Sequence, residues 1–590
     1  MGIPYLTATL EPYAVRRRLQ HEAVVIDGPA LAYHILHVCR VNGISQPPYQ
    51  LLGQSTVAWL DELSSHGVAA QAIYFDGHLP TSKRQVRMER LTKSTAQISR
   101  FFSSTPQGCP RNQLALVDSK DDGARLDILK TGILPGTKPF ADPSFLVPAI
   151  IDALRQSPQY QALVSLVPGE ADIYCAKHVL ERGGSVLTSD SDLLAHRLGD
   201  GQVVFFRDLH RDTNSAILCS SFAPKEICQK LGLSPLADPP RLAYERKRLP
   251  CASLAQLVGV CSLPVLDRSD YHMFRQEYEY REGDEFPEER LLQLNQLDPR
   301  MSEIIVQLHH ASSKPNGKHG DIRMYLPVLI ESPTKGNAWE QSTPVRQLAY
   351  TLLGLATPDS STPILEYRRI QSTTQKGRKI ETVSAAEAQR IIDEMLDLME
   401  RIKQVTCGHE RFYWPLLCFA VDMCECQKQD KQSHAWHTFQ KRHKPSVAGA
   451  NKISWDIVHF VAQLQATCYS LRILRQVLFI VLGSGMELIP PNIKQMRTAL
   501  RDLPPLTDFP DMNGTLDLLV TSGKNGLVRA LSELLGVSLP LAPKPSDSFR
   551  VTKNVKARTG SKRRDEASHK LALQSKDSTT ENKFSLLSVD

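Results

Sequence analysis

Short apolar runs alternate with helical periodicity through about the first 210 residues. The runs at 24–26, 69–75, 163–167, 186–188 and 202–206 predict buried strands. Helical spacing of apolar positions covers 30–41, 51–64, 82–102, 144–156 and the stretch from Glu170 to the Gly183-Gly184 pair. Because strands and helices alternate, we predict an α/β fold whose mostly parallel sheet is flanked by helices.

Beyond residue 221 the strand patterns fade and helical patterns dominate. They cover 224–231, 253–260, 288–297, 302–309, 385–405, 455–482 and 492–500. After about residue 541 the chain becomes polar, basic and rich in Ser and Lys, a composition typical of disorder. We therefore predict three regions. They are an α/β domain at 1–220 with an irregular insertion at 104–143, a mostly helical region at 221–540, and a disordered basic tail at 541–590.

Composition narrows the class of protein without naming a function. The 590 residues, with a hydrophobic fraction of 42%, suit a globular chain of two or three domains. No apolar run approaches the length needed to cross a bilayer, so we predict no membrane partner. The 12 cysteines contain no CxxC pair, which favours reduced thiols inside a cell. The cysteines and histidines at 407–437 fit no zinc-finger spacing, and we interpret them as ordinary thiols and histidines.

Acidic side chains follow the carboxyl ends of four predicted strands. The six residues are Asp27, Asp76, Glu170, Asp172, Asp190 and Asp192. Ligands bind at this edge of open α/β sheets, and crowded carboxylates need a neutralising charge, for which a hard divalent cation is the simplest source. Two such ions favour in-line displacement at phosphorus. Turn formation and helix capping by Asp are the alternative reading of these positions.

The predicted helix at 82–102 carries cations on one face. Lys83, Arg87 and Arg90 recur at helical spacing, Lys93 follows, and Glu89 is the only acid between Lys83 and Lys93. Pairing within the helix therefore cannot account for the cations. We expect contacts with nucleic-acid phosphates, with a solvated surface as the alternative.

Residues 1–210 contain five short motifs, which read MGIPYL, VVIDGPALAY, YFDGHLPTSKRQVRMER, VPGEADIYCA and LTSDSDLL. They resemble the motifs of the flap-endonuclease/XPG-like structure-specific nucleases, and more closely those of the asteroid-domain branch. The resemblance implies a PIN/XPG-like sheet. It also implies that Gly2 lies against the active site, that Tyr33 stacks on a substrate base, and that Lys83 and Arg90 stabilise charge on the scissile phosphate.

The same resemblance implies a site for two Mg²⁺ or Mn²⁺ ions. One ion would take Asp27, Asp76 and Glu170; the other would take Asp190 and Asp192, with Asp172 between the two. The sequence departs from the family in three ways. Asp172 replaces a Glu. The stretch LAQLVGV at 254–260 is followed by Cys261 where a Gly-x-Asp-Tyr motif supplies a seventh acid. There is also no helix–two-turn–helix motif.

We therefore expect a metal-dependent, structure-specific endonuclease that acts on branched, overhang or single-stranded DNA, with a role in DNA repair. RNA is an alternative substrate. The alternative function is a catalytically weak or inactive scaffold that binds nucleic acid or proteins. The basic run at 553–564 predicts nuclear import, or equally an arm that binds nucleic acid. The apolar end at 582–589 is a candidate docking peptide for a protein partner.

Overall fold

A computed structural model describes most of the chain. It covers residues 3–115, 126–130, 132, 140–233, 238–279, 286–312, 321–356, 363–441, 450–483, 489–522 and 526–537. Gly2, residues 116–125, 131 and 133–139 of the predicted insertion at 104–143, and the whole tail with its basic run lie outside the described residues.

Strands concentrate in the first part of the chain. In order they are β1 (Val15–Arg18), β2 (Ala23–Asp27), β3 (Ala69–Asp76), β4 (Cys109–Pro110), β5 (Val164–Val167), β6 (Ser185–Thr188), β7 (Gln202–Phe205), β8 (His210–Arg211), β9 (Ile217–Phe222), β10 (Ile322–Tyr325), β11 (Ile364–Tyr367), β12 (Arg378–Ile380) and β13 (Lys452–Ile453). All five strands expected from the apolar runs are present, as β2, β3, β5, β6 and β7.

Helices run through the whole described chain. They are α1 (Leu6–Leu10), α2 (Gly28–Val41), α3 (Tyr49–Ser65), α4 (Arg84–Ser104), α5 (Leu146–Gln156), α6 (Ala171–Arg182), α7 (Pro224–Lys230), α8 (Pro239–Arg248), α9 (Leu254–Cys261), α10 (Arg268–Glu277), α11 (Glu288–Leu294), α12 (Pro299–Ser312), α13 (Thr343–Ala356), α14 (Ala385–Val405), α15 (Tyr413–Lys428), α16 (His434–Gln440), α17 (Trp455–Gly483), α18 (Pro491–Ala499), α19 (Met512–Ser522) and α20 (Leu527–Leu535).

The main sheet has the strand order β1-β9-β7-β6-β2-β3-β5, with β8 paired to β9. Strands β7, β6, β2, β3 and β5 are parallel to one another, whereas β9 pairs antiparallel with β7 and β1 pairs antiparallel with β9. The predicted α/β class with a mostly parallel sheet is therefore confirmed. Strand β9 ends at Phe222, close to the predicted boundary at 220.

Strand β1 was not predicted, because Val-Arg-Arg-Arg shows no apolar alternation. It pairs antiparallel with β9 along its whole length, and its arginine side chains add contacts. Arg17 pairs with Glu22 at 2.8 Å and its Nε donates to Ser221 on β9 at 3.1 Å. The three-stranded sheet β10-β11-β12 was also missed, since its strands have three or four residues each in a mostly helical region.

Helix α2 starts at the end of β2 and fixes the geometry of the sheet edge. The Asp27 carboxylate caps it by accepting from the Ala30 amide at 3.2 Å, and Pro29 occupies its first turn. A Cβ on Gly28 would lie 2.5 Å from the Phe75 ring, so only glycine allows this close approach. The capping role that the sequence offered as an alternative is thus real for Asp27.

The helical second part packs around α17. The length and composition of this helix show that the expectation of no segment long and apolar enough to cross a membrane was wrong. By length and composition α17 passes that test, although 78% of its most apolar window is buried inside the protein, as in a core helix. Polar side chains such as Gln463 and Arg472 interrupt the apolar run and hid it in the sequence. Arg472 binds Asp152 of α5 through two hydrogen bonds of 2.7 and 2.8 Å, which ties α17 to the first part of the chain.

Candidate metal centre and basic helix

The parallel strands bring the six predicted acids to one edge of the sheet. Asp27 ends β2 and Asp76 ends the neighbouring β3. The remaining four follow strands β5 and β6: Glu170 is the residue immediately before α6, Asp172 lies in its first turn, and Asp190 and Asp192 begin the turn after β6. Asp27 is buried, while the other five are partly buried.

Thr188, at the end of β6, joins two of the acids. Its hydroxyl donates to Asp27 Oδ2 at 2.6 Å and accepts from the Asp190 amide at 2.9 Å. Thr188 is fully buried, so its hydroxyl forms hydrogen bonds only with groups inside the protein. The sequence analysis missed this residue, although it lies inside the LTSDSDLL motif.

Backbone amides hold three further carboxylates. The Ala171 amide, in the first turn of α6, donates to Asp76 Oδ1 at 2.7 Å. Asp192 accepts from the Ile3 amide at 2.8 Å, and its own amide donates to Asp190 Oδ1 at 3.0 Å. The N-terminal segment after Gly2 therefore does lie against this edge of the sheet.

Four of the carboxylates have raised pKa values. Burial, with Asp190 nearby, raises the pKa of Asp27 to about 6, and burial, with Asp27 and Glu170, raises that of Asp76 to about 7. Burial and Asp190 raise the pKa of Asp192 to about 6. Asp172 lies in the field of Asp27, Asp190, Asp76 and Glu170, and burial and these charges raise its pKa well above the usual range. Arg87 lowers the pKa of Asp76 and Lys83 lowers that of Asp192, but these charges do not outweigh burial and the neighbouring acids.

One cation reaches the cluster directly. Lys83 lies 3.3 Å from Glu170 Oε1. Burial alone would lower the pKa of Lys83, but Glu170 and Asp192 raise it above its ordinary value, so the ammonium group is firmly charged. One ammonium does not balance six acids.

The chemistry of the six side chains fits a hard divalent cation, because their ligand atoms are all carboxylate oxygens and Lys83 alone does not balance their negative charge. The spacing is wider than in a loaded site. Within the described residues, no three His, Cys, Asp or Glu side chains converge closely enough to hold one ion.

The basic face of α4 divides into two parts. Arg90 and Lys93 are exposed, and Arg90 lies within electrostatic range of Tyr33, whose side chain is 54% exposed. Arg87 is instead engaged by the second part of the chain. Its Nη1 lies 2.5 Å from Glu303 Oε1, and its guanidinium stacks 4.1 Å from the centre of the Tyr325 ring. Arg87 thus has a structural partner where the sequence suggested a phosphate.

Helix α12 reaches the acid edge beside this contact. A Cβ on Gly77, next to Asp76, would lie 2.3 Å from the Val167 carbonyl oxygen and 2.6 Å from Ser302 Oγ. Only glycine permits α12 to pack so close to the end of β3. The helical part therefore forms one wall of the candidate site.

Asp267 and Asp270, the first two acids after Cys261 in the sequence, have other partners. Asp267 caps α10 and Asp270 accepts from the Tyr244 hydroxyl at 2.9 Å. Tyr278 lies closer to the cluster instead: burial first, then Asp192 and other nearby acids, raise its pKa. The sequence held no sign of this, since residue 278 follows no strand and belongs to no motif.

Comparison with known proteins gives one family match. Residues 142–382 match the family described as "XPG domain containing". This segment includes Glu170, Asp172, Asp190 and Asp192 but neither Asp27 nor Asp76. No curated protein matches the chain. Among solved structures, flap endonuclease-1 from Methanococcus jannaschii aligns at 12% identity and a TM-score of 0.25, over 46% of this chain and 83% of that one. A likeness this weak carries no argument.

Proposed function

Because residues 142–382 match the family described as "XPG domain containing", we propose that the chain is a metal-dependent nuclease that hydrolyses phosphodiester bonds at the acid edge of its main sheet. The observation that carries the proposal is the cluster of six carboxylates with one cation. Removing carboxylates from water without balancing charge costs free energy, and a bound divalent cation would offset that cost.

The resemblance of the motifs suggests the ligands. Asp27, Asp76 and Glu170 would hold one Mg²⁺ or Mn²⁺ ion, and Asp190 and Asp192 a second, with Asp172 between the two. When bound, such a pair activates a water molecule and stabilises the leaving oxygen. Thr188 fixes the orientation of the Asp27 carboxylate through its 2.6 Å hydrogen bond.

The substrate would approach along α4. Lys83 would bind the phosphate at the cluster and stabilise the charge that develops there. Tyr33 offers an exposed ring on which a base can stack, with Arg90 nearby and Lys93 further along α4 for flanking phosphates. We propose that the substrate is branched, overhang or single-stranded DNA and that the protein acts in DNA repair. We also propose that the chain belongs to the asteroid branch and that the basic run at 553–564 directs nuclear import.

A second candidate is a nuclease-like scaffold that binds nucleic acid or protein without cutting it. One observation favours it: the acids within the described part of the chain do not converge three at a time on one point. In this function the charge of the cluster would exclude phosphates from the sheet edge, and the exposed face of Tyr33, Arg90 and Lys93 would bind the strand.

Cleavage assays distinguish the two functions. Purified protein is incubated with end-labelled flap, fork, overhang and single-stranded substrates, as DNA and as RNA, in Mg²⁺, Mn²⁺ or EDTA. We expect metal-dependent products that Asp190→Asn abolishes. Asp200→Asn is the matched control, because Asp200 is an exposed Asp that pairs with Lys225. Binding without cleavage in every metal, or products that persist in Asp190→Asn, would refute the nuclease and leave the scaffold.

A further inference from the structure

The helical part of the chain brings one arginine to the neighbourhood of the basic helix α4. Arg300 is the second residue of α12. Two other residues of α12 fix its place in the fold. Ser302 packs against Gly77 at the end of β3, and Glu303 pairs with Arg87 of α4. The start of α12 therefore lies beside both the acid edge and the basic helix.

Two hydrogen bonds orient the Arg300 guanidinium. Its Nε donates to the Tyr325 carbonyl oxygen at 3.0 Å, and its Nη1 donates to the Tyr469 hydroxyl at 3.4 Å. The ring of the same Tyr325 carries the Arg87 guanidinium, 4.1 Å from the ring centre. Arg300 and Arg87 thus lie against one residue, and Arg90 follows Arg87 by about one helical turn.

The third guanidinium nitrogen of Arg300 is available to a ligand. Nη2 makes no hydrogen bond to any described residue, and it is open to solvent. The acids within electrostatic range have other partners: Asp298 pairs with Arg472 at 3.3 Å, and Glu303 pairs with Arg87. Within the described residues no acid forms an ion pair with Arg300. An oriented guanidinium with a free, accessible N–H edge suits a phosphate oxygen.

Tyr33 on α2 is the exposed ring nearest to these cations. The residue is 54% exposed, yet burial raises the pKa of its hydroxyl, so the ring lies open in a depression with protein around it. Asp142, Arg90, Arg300 and Arg40 all lie within electrostatic range of the hydroxyl. Arg40 and Asp142 pair at 2.9 Å. The two other arginines, from α4 and α12, pair with no acid in the described part of the chain.

We propose that Arg300 binds a phosphate of a single-stranded nucleic acid whose base stacks on Tyr33, while Arg90 binds a flanking phosphate. A base stacks on a side chain only when its face is free, and bases inside a duplex have both faces covered by their neighbours. The inference rests on the proposed path of the substrate past Tyr33 and Arg90, but it needs no metal and no cleavage. It gives the helical part, outside the five motifs, a direct share in substrate binding.

Fluorescence anisotropy of the full chain in EDTA tests the proposal, with a labelled single strand of mixed sequence and a blunt duplex of the same sequence. We expect Arg300→Gln to weaken binding of the single strand roughly fivefold at low salt. The slope of log affinity against log salt should fall by about 0.7, the share of one phosphate in a single strand. Binding of the duplex should change little.

Arg475→Gln is the matched control. Arg475 on α17 is also partly buried and donates to a backbone carbonyl, that of Leu503 at 2.9 Å, but it is not among the charges around Tyr33. This variant should leave both affinities unchanged.

A measurement on the wild type decides the question even if Arg300→Gln does not fold. Phenylglyoxal modifies accessible arginines, and peptide mass spectrometry locates the modified residues. A bound single strand should protect Arg300 and Arg90, while the exposed Arg390 on α14 stays reactive. Full reactivity of Arg300 in the presence of bound single strand would overturn the proposal.

The remaining outcomes separate this inference from the nuclease function. Equal weakening of strand and duplex by Arg300→Gln would overturn it, as would a wild type that binds no single strand. Cleavage that Asp190→Asn abolishes, together with unchanged strand binding by Arg300→Gln, would overturn this inference alone. Strand binding that Arg300→Gln weakens, without cleavage in any metal, would support it and refute the nuclease.

Discussion

Two groups of buried carboxylates in this protein have opposite electrostatics. At the sheet edge, Asp27 and Asp76 are surrounded by other acids, and their pKa values rise to about 6 and about 7. In the helical part, Glu366 on β11 is 1% exposed, yet its pKa falls to about 2. Burial alone would raise the pKa of Glu366 as well, but Arg346 and Arg368 outweigh it.

The hydrogen bonds explain the difference. Arg346 donates to Glu366 at 2.6 and 3.1 Å, Arg368 donates to it at 2.8 Å, and the Tyr350 hydroxyl donates at 2.9 Å. This carboxylate is complete without anything from outside. The acids at the sheet edge have backbone amides, one threonine and one lysine. The paired carboxylate of Glu366 is typical of a structural ion pair, whereas the crowded acids at the sheet edge are typical of a cation site.

The largest expected effect is a loss of protein stability when the hydrogen-bond network around Glu366 is broken. Arg346→Met should lower the free energy of unfolding by about 3–5 kcal/mol, because it leaves the Glu366 carboxylate buried with one guanidinium. Denaturant melts measure the change. Arg390→Met, on the exposed face of α14 with Glu387 and Glu394, should have almost no effect. Equal losses for the two variants would contradict the comparison.

The next effect concerns the single cation at the sheet edge. Lys83→Met should reduce the rate of cleavage by roughly 100- to 1,000-fold, the usual cost of removing one charge-stabilising donor. Single-turnover kinetics measure it. Lys93→Met, further along α4 and exposed, should mainly weaken substrate binding by a small factor. A Lys83→Met enzyme as fast as the wild type would remove Lys83 from the mechanism.

Stability should depend on pH with opposite signs at the two groups. The folded pKa of Glu366 is depressed, so the wild type should lose stability relative to Glu366→Gln as the pH falls from about 4.5 to about 2, by roughly 2–3 kcal/mol. The folded pKa of Asp76 is raised. In EDTA, the wild type should therefore lose stability relative to Asp76→Asn as the pH rises from about 4 to about 7. Urea melts of each pair across pH give the slopes, and slopes of the same sign would contradict the account.

The smallest expected effect separates two arginines on α4. Arg87→Gln should change nucleic-acid affinity little, because its guanidinium already pairs with Glu303 and stacks on Tyr325. Arg90→Gln, which removes the exposed cation near Tyr33, should weaken binding and lower the salt dependence by about one charge. Fluorescence anisotropy at several salt concentrations decides between them. A larger loss for Arg87→Gln would mean that the α12 contact opens when substrate binds.

The sequence predicted the sheet well because its central strands are buried on both faces and read as apolar runs. The sequence also predicted that the six acids lie at one edge of the sheet, because parallel strands end on the same side. The sequence did not predict contacts between side chains that lie far apart along the chain. Arg17 on β1 donates to Ser221 on β9, and Arg87 pairs with Glu303, and in each case the partner is more than two hundred residues away. Helical spacing gave the face of Arg87 but could not reveal its partner.

The central claim is that the sheet-edge acids form a centre for two divalent cations. Titration of the full chain with Mn²⁺, followed by the loss of the free-ion paramagnetic resonance signal, tests it most directly. We predict two bound ions per chain in the wild type and fewer in Asp27→Asn and Asp190→Asn, with Asp200→Asn unchanged. No bound Mn²⁺ in the wild type, or equal binding in all four proteins, would contradict the claim.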